Sequence, residues 1–99
     1  MKNKIQNALG LAQRAGKCLT GDELLDAIGK NKVSLVVLAN DASERTKSQI
    51  QKKCDFKNIK VIDMLSKEEL SQSIGKVNRA AVGIADTGFS KLIKTYLKG

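Results

Sequence analysis

Ser34-Leu35-Val36-Val37-Leu38-Ala39-Asn40-Asp41 is the stretch on which the fold turns. From Leu35 to Ala39 every side chain is apolar, so neither a period of 2 nor one of 3.6 can be read from it. Its brevity and its adjacent valines favour a strand over 34–39, buried on both faces as in the middle of an α/β sheet. The polar residues that follow mark its exit. Asp41, with Glu44 three positions on, predicts a capped helix over about 42–53.

Working backwards, Thr20-Gly21-Asp22-Glu23 has capping-box spacing, with Thr20 as N-cap and Glu23 reaching back. Leu24, Leu25, Ala27 and Ile28 carry that helix to about Lys30. Ile5, Ala8, Leu9, Ala12 and Ala15 recur at helical spacing and predict a helix over 2–15, closed by Gly16. Cys18-Leu19-Thr20 is left as a short extended link or edge strand. Working forwards, Ile59–Ile62 reads as a strand. Ser66-Lys67-Glu68-Glu69 opens a helix to about Ile74 that Gly75 ends, and Ala80–Ala85 is another buried strand. Asp86-Thr87 leads into a last helix whose apolar face is Phe89, Leu92, Ile93, Tyr96 and Leu97. Single strands alternating with single helices make an α/β domain, a three-layer α-β-α sandwich around a small sheet of three or four strands. Its strand order does not follow from periodicity. The 99 residues suit one domain, 1–99, without linker or repeat.

Eighteen Lys+Arg against ten Asp+Glu leave a net charge of +8, with no His, Trp or Pro. So basic a domain is expected to meet a polyanion, of which nucleic acid is the commonest. The missing His removes the usual general base and the usual metal ligand together. No apolar run approaches a membrane span, and Met1-Lys2-Asn3-Lys4-Ile5 is not followed by an apolar signal segment. A cytoplasmic protein with Cys18 and Cys54 reduced, no metal, no cofactor and no membrane partner is expected.

Each candidate for chemistry meets a simpler explanation. Gly10-Leu11-Ala12-Gln13-Arg14-Ala15-Gly16-Lys17 resembles a phosphate loop only superficially: its glycines are wrongly spaced, Cys18 replaces Ser/Thr, and it ends a helix where such a loop begins one. Cys18 and Cys54 read as inert thiols. The carboxylate pairs Asp22/Glu23 and Glu68/Glu69 sit in first helical turns, where the dipole favours them. Lys47, Lys52 and Lys53, and Lys91, Lys94 and Lys98, read as solvated helix faces. Arg14 with Lys17, and Lys76 with Arg79, sit at turns beside helix ends, where backbone N–H groups and cations together fit phosphates. These two pairs are expected on one face, around the start of the second helix. Phe56, Phe89 and Tyr96 are the only aromatics, too few for a row of stacking platforms, so recognition of a structured RNA by shape and charge fits better.

The segments 10–17 and 20–23, the run Leu35-Val36-Val37-Leu38-Ala39-Asn40-Asp41-Ala42-Ser43-Glu44-Arg45-Thr46-Lys47, and the segments 69–76 and 86–89 resemble the bacterial branch of the kink-turn-binding ribosomal protein superfamily named after L-seven-Ae and L-thirty-e. The resemblance implies a three-layer α-β-α fold with a four-stranded mixed sheet, and RNA binding without catalysis. It implies that the start of the second helix enters the kink and reads sheared G·A pairs. Carried over, that element is Gly21, Asp22 and Glu23, next to Thr20. A loop before the last strand would cover an extruded nucleotide, here Lys76, Val77, Asn78 and Arg79. Two departures stand out. The family's amide or lysine is Asp22 in this chain, and its helical lysine falls at or near Asp26. Both put acids beside phosphates, and so shift the expected surface toward Arg14, Lys17, Lys30, Lys32, Lys76 and Arg79.

The expected function is thus non-catalytic binding of structured RNA, ribosomal or other non-coding, by a monomer, with association with the ribosome as one setting. A protein–protein adaptor of the transcription or translation apparatus is the alternative and a small enzyme the third reading. Salt separates the first two, since phosphate binding weakens steeply with it.

Overall fold

The computed structural model describes residues 2–98 and alternates helix and strand throughout: α1 (Lys2–Arg14), β1 (Cys18–Leu19), α2 (Gly21–Gly29), β2 (Leu35–Leu38), α3 (Glu44–Lys57), β3 (Lys60–Ile62), α4 (Lys67–Ser73), β4 (Ala81–Ile84) and α5 (Thr87–Lys98). Met1, at the head of the basic N-terminal stretch, and the side chain of Lys98 lie outside the described residues.

The strands form one mixed sheet in the order β1-β4-β2-β3. β2 is a central strand, with all four residues buried, as its unbroken apolar run predicts. It runs parallel to β3 (Val36 opposite Val61) and antiparallel to β4 (Val37 opposite Val82). β1 pairs antiparallel with the far side of β4, Leu19 opposite Gly83, and forms the short edge. α2 packs on α3, and α1 packs on both α4 and α5, which gives the three layers. Ile5, Leu9, Ile28, Leu35, Val36, Leu70, Ile84 and Ile93 fill the core around the sheet. Ile93 anchors α5 with Phe89, Tyr96 and Leu97 half-buried, whereas Leu92, expected on the same face, stays exposed.

Three helix starts matter to the site. The capping box of α4 forms as its spacing predicts: Ser66 Oγ accepts from Glu69 N at 3.1 Å, and Glu69 Oε1 accepts from Ser66 N at 2.9 Å. The other two differ from expectation. α3 is capped by Ser43, whose Oγ accepts from Thr46 N at 3.2 Å, and runs to Lys57 rather than about 53. Asp41 is taken elsewhere, its Oδ1 accepting from Lys67 N at 2.7 Å and tying the exit of β2 to the start of α4. Asn58 caps the end of α3 with a left-handed backbone (φ 58°). At α2 the Thr20–Glu23 box does not form: Thr20 occupies the N-cap, but its side chain makes no capping bond. Gly21 takes φ 63°, outside the helical region, so the first turn does not bring an amide under the Thr20 hydroxyl as a box requires.

Candidate nucleic-acid interface

The exits of β1 and β2 and the entry to β4 lie at one end of the sheet, because β4 runs antiparallel to both neighbours. The start of α2 and the α4–β4 loop therefore meet there. Thr20, Gly21 and Asp22 line one wall of a groove of about 510 Å³, and Asn78, Arg79 and Ala80 line the other. Thr46 and Gln49 of α3 line it as well.

Close packing sets this geometry. Leu24 is buried against β4 directly over Gly83, where an added Cβ would collide with Leu24 Cδ1 and stand 3.2 Å from Val33 Cγ1. A glycine is what lets α2 approach the sheet so nearly. Gly21 needs its freedom for a different reason, since a side chain there would have to adopt a left-handed backbone at the mouth of the groove. The opposite wall is clamped by Ser71, a buried hydroxyl on α4. Its Oγ accepts from Arg79 N at 2.8 Å and donates to Arg79 O at 3.3 Å. Asn78 has a left-handed backbone, φ 53°, and Arg79 Nη1 donates back to Val77 O at 2.9 Å, so this loop is shaped by its own bonds. Val77 projects from it, 74% exposed.

The expected binding residues divide between several places. Thr20, Gly21, Asp22, Asn78 and Arg79 share the groove. Asn78 also borders a second depression with Lys76, Val77 and Asp41. Glu23 is exposed in the first turn of α2. Arg14 lies in a separate groove between α1 and α4, beside Gln72 and Ser73. Lys17 stands at the opposite end of β1, where its carbonyl accepts from Ala85 N at 2.8 Å. Lys17 and the groove residue Thr20 thus flank the two-residue β1, and Lys17 is not among the residues that line the groove with Arg79. Lys30 and Lys32 follow the far end of the nine-residue α2, about 13 Å from its start at 1.5 Å per residue. Lys30 is paired there with Asp26 at 3.0 Å. The cation set of Arg14, Lys17, Lys30, Lys32, Lys76 and Arg79 is thus dispersed, with Lys76 and Arg79 alone in the loop beside the groove.

Ser71, Thr46 and Gln49 escaped the sequence reading. Ser71 carried a signal, a hydroxyl between the apolar positions Leu70 and Ile74 of a short helix. Thr46 and Gln49 carried none, because only the packing of α3 on α2 brings them to the groove.

No group of three or more His, Cys, Asp or Glu among the described residues is placed to hold a metal ion. Cys18 and Cys54 are both free thiols. Burial pushes each up to about 11, with the neighbouring Asp55 charge adding to the effect at Cys54. Neither is primed as a nucleophile, because the thiolate is the reactive form. No helix among the described residues is long and apolar enough to cross a membrane.

The sequence pattern and this fold are shared with known proteins. The Ribosomal protein L7Ae/L30e/S12e/Gadd45 family matches residues 3–94, and the chain belongs to that family. It is 41% identical to "RNA-binding protein YlxQ" of Enterococcus faecium over 99 residues, covering 99% of this chain and 95% of that one. The protein of the same name in Bacillus subtilis (strain 168) is 38% identical over 90% of each chain. A Bacillus halodurans protein of unknown function superposes with a TM-score of 0.90 at 35% identity, over 97% of this chain and 98% of that one. The Giardia lamblia 15.5kD RNA binding protein shares the fold, with a TM-score of 0.80 at 18% identity over 94% of this chain and 81% of that one.

Proposed function

We propose that the chain, acting as one domain, binds a structured RNA without chemistry. We further propose that the groove between the start of α2 and the α4–β4 loop takes the bend of a kinked duplex. Membership of the ribosomal-protein family and the name of its relatives support RNA as the ligand. The observation that carries the finer reading is that Thr20–Asp22 and Asn78–Arg79, distant in sequence, face one another across a single groove. At the α2 wall no side-chain cap competes for the first-turn amides, which can donate to phosphate or to a base edge. At the other wall Arg79 supplies a cation, and the exposed Val77, in the depression beside the groove, an apolar cover for a base turned out of the stack. Asp22 offers acceptors only and disfavours any phosphate brought close. The protein acts in the cytoplasm as a monomer, on a ribosomal or other non-coding RNA.

A fluorescent kink-turn hairpin and a straight duplex of the same composition, titrated in parallel at one salt concentration, test this reading. The kinked RNA is expected to bind more tightly, and Arg79→Ala to reduce that preference. Equal affinity for the two RNAs would remove the kink from the proposal. Binding to neither would favour an adaptor role, for which the exposed Val77 is the natural contact.

A further inference from the structure

We propose that Phe56 and the lysines around it form a second RNA contact, which stacks an unpaired base on the ring and holds the adjoining phosphates with Lys52, Lys53 and Lys57. Phe56 is 82% exposed although it lies on a helix whose core side is already supplied by Ile50 and Cys54. It borders a shallow groove with Ile28, Gly29, Lys52, Lys53 and Lys57. Lys57 Nζ stands 5.6 Å from the ring centroid, so cation and aromatic already share one small surface.

A single exposed phenylalanine needs no explanation in itself. Its company does. α3 carries Arg45, Lys47, Lys52, Lys53 and Lys57 against Glu44 and Asp55. No acid lines that groove among the described residues; Asp55, next to Phe56 in the chain, accepts at Oδ1 from Gln51 Nε2 at 2.8 Å, and Asp26 on α2 is paired with Lys30. An apolar protein partner would have to desolvate three lysines at once. Single-stranded RNA meets both features, because a base has a π-face for the ring and each phosphate a charge for a lysine.

The position completes the argument, and this step rests on the reading of the first groove. Gln49 lines that groove and Phe56 lies seven residues further along α3, about 10 Å at 1.5 Å per residue. Both grooves lie where α2 packs on α3. A strand leaving the first groove reaches Phe56 in about three stacked nucleotides at roughly 3.4 Å each.

Hexauridine, which cannot form a kink, isolates the second contact. Amide shifts and fluorescence anisotropy are measured for the wild type, Phe56→Ala, Phe56→Tyr, Lys52→Gln/Lys53→Gln/Lys57→Gln and Arg79→Ala. Wild-type shifts are expected to centre on the second half of α3. Phe56→Ala should weaken binding roughly five- to hundred-fold, the scale of one lost base–aromatic stack, and Phe56→Tyr should preserve it. The triple lysine variant should bind weakly and lose most of its salt dependence, and Arg79→Ala should bind as wild type. Absence of hexauridine binding overturns the proposal, as does equal affinity for Phe56→Ala. Self-association in sedimentation that Phe56→Ala abolishes, with oligonucleotide affinity unaltered, also overturns it and assigns the surface to a second copy of this chain. Hexauridine binding that depends on Phe56 supports the second contact even where the kink-turn hairpin fails to bind, a failure that belongs to the first groove.

Discussion

Asp22 poses the sharpest question at the scale of a single residue. It sits in the first turn of α2, where the helix dipole favours an acid by about 0.3–1 kcal/mol, and it lines the groove proposed for RNA. The free protein is stabilised by the same charge that opposes its ligand. Asp22→Asn is therefore expected to lower the melting temperature slightly and to tighten kink-turn binding. One recovered donor contact is worth roughly 1–3 kcal/mol, a gain of about five- to hundred-fold. Anisotropy titrations beside thermal melts measure both, and unchanged affinity would mean that this carboxylate does not face the RNA. The thiols give a second test. With Cys18 and Cys54 pushed up to about 11, native protein at pH 8 should alkylate far more slowly than protein unfolded in urea, where the ordinary thiol value near 8.5 returns. Equal alkylation rates, followed by mass spectrometry, would contradict the burial of both sulfurs.

Elements are where the groove gains its shape, and two of its supports can be removed separately. Gly83→Ala puts a Cβ where Leu24 Cδ1 now lies and crowds Val33, so the start of α2 is expected to lift unless the Leu24 side chain turns aside. Overpacking of this kind costs about 1–3 kcal/mol, to be read from urea denaturation. Alternatively, unaltered stability would show that Leu24 escapes into another rotamer at little cost. At α4 the amide of Ser66 holds Glu69 below the usual carboxylate range, helped by Lys2 at 3.5 Å and opposed by partial burial. Because the folded value is lowered, the contribution is present above the ordinary Glu value near 4.3 and is lost as pH falls through the folded one. Glu69→Gln should lose stability at pH 7, with the deficit shrinking toward pH 3 in melts across that range, whereas Ser66→Ala keeps that amide and loses the hydroxyl cap on Glu69 N, a deficit nearly independent of pH. The alternation of elements was legible because apolar runs and caps are local features: the strand at 34–39 and the box at Ser66 stand within a residue of their expected places. The cap of α3 and the open start of α2 were not legible. Asp41 is diverted by a partner 26 residues away, and Gly21's backbone angle is a property of the turn rather than of its composition.

Over the whole molecule, the net charge of +8 says that a polyanion is welcome but not where. The groove legible from the sequence gathers the expected turn residues but only a small part of the charge, since Arg14 lines a separate groove, Lys17 stands before β1, and Lys30 and Lys32 follow the far end of α2. Such placement depends on strand order, which periodicity does not contain. The dispersal makes a quantitative prediction. A blunt kink-turn seated on the groove and the α4–β4 loop beside it meets Arg79 and Lys76, so about two phosphates are neutralised and log K should fall against log salt with a slope near −1.4 to −1.8. An RNA with a single-stranded flank that reaches Lys52, Lys53 and Lys57 engages about five phosphates, for a slope near −3.5 to −4.5. Titration of both RNAs from low to moderate salt gives the two slopes directly. A steep slope shared by the blunt RNA would mean that the groove alone draws on cations placed here outside it. A flat response for both would take phosphate contact away as the source of affinity, and leave an uncharged protein surface as the better partner for the loop that carries Val77.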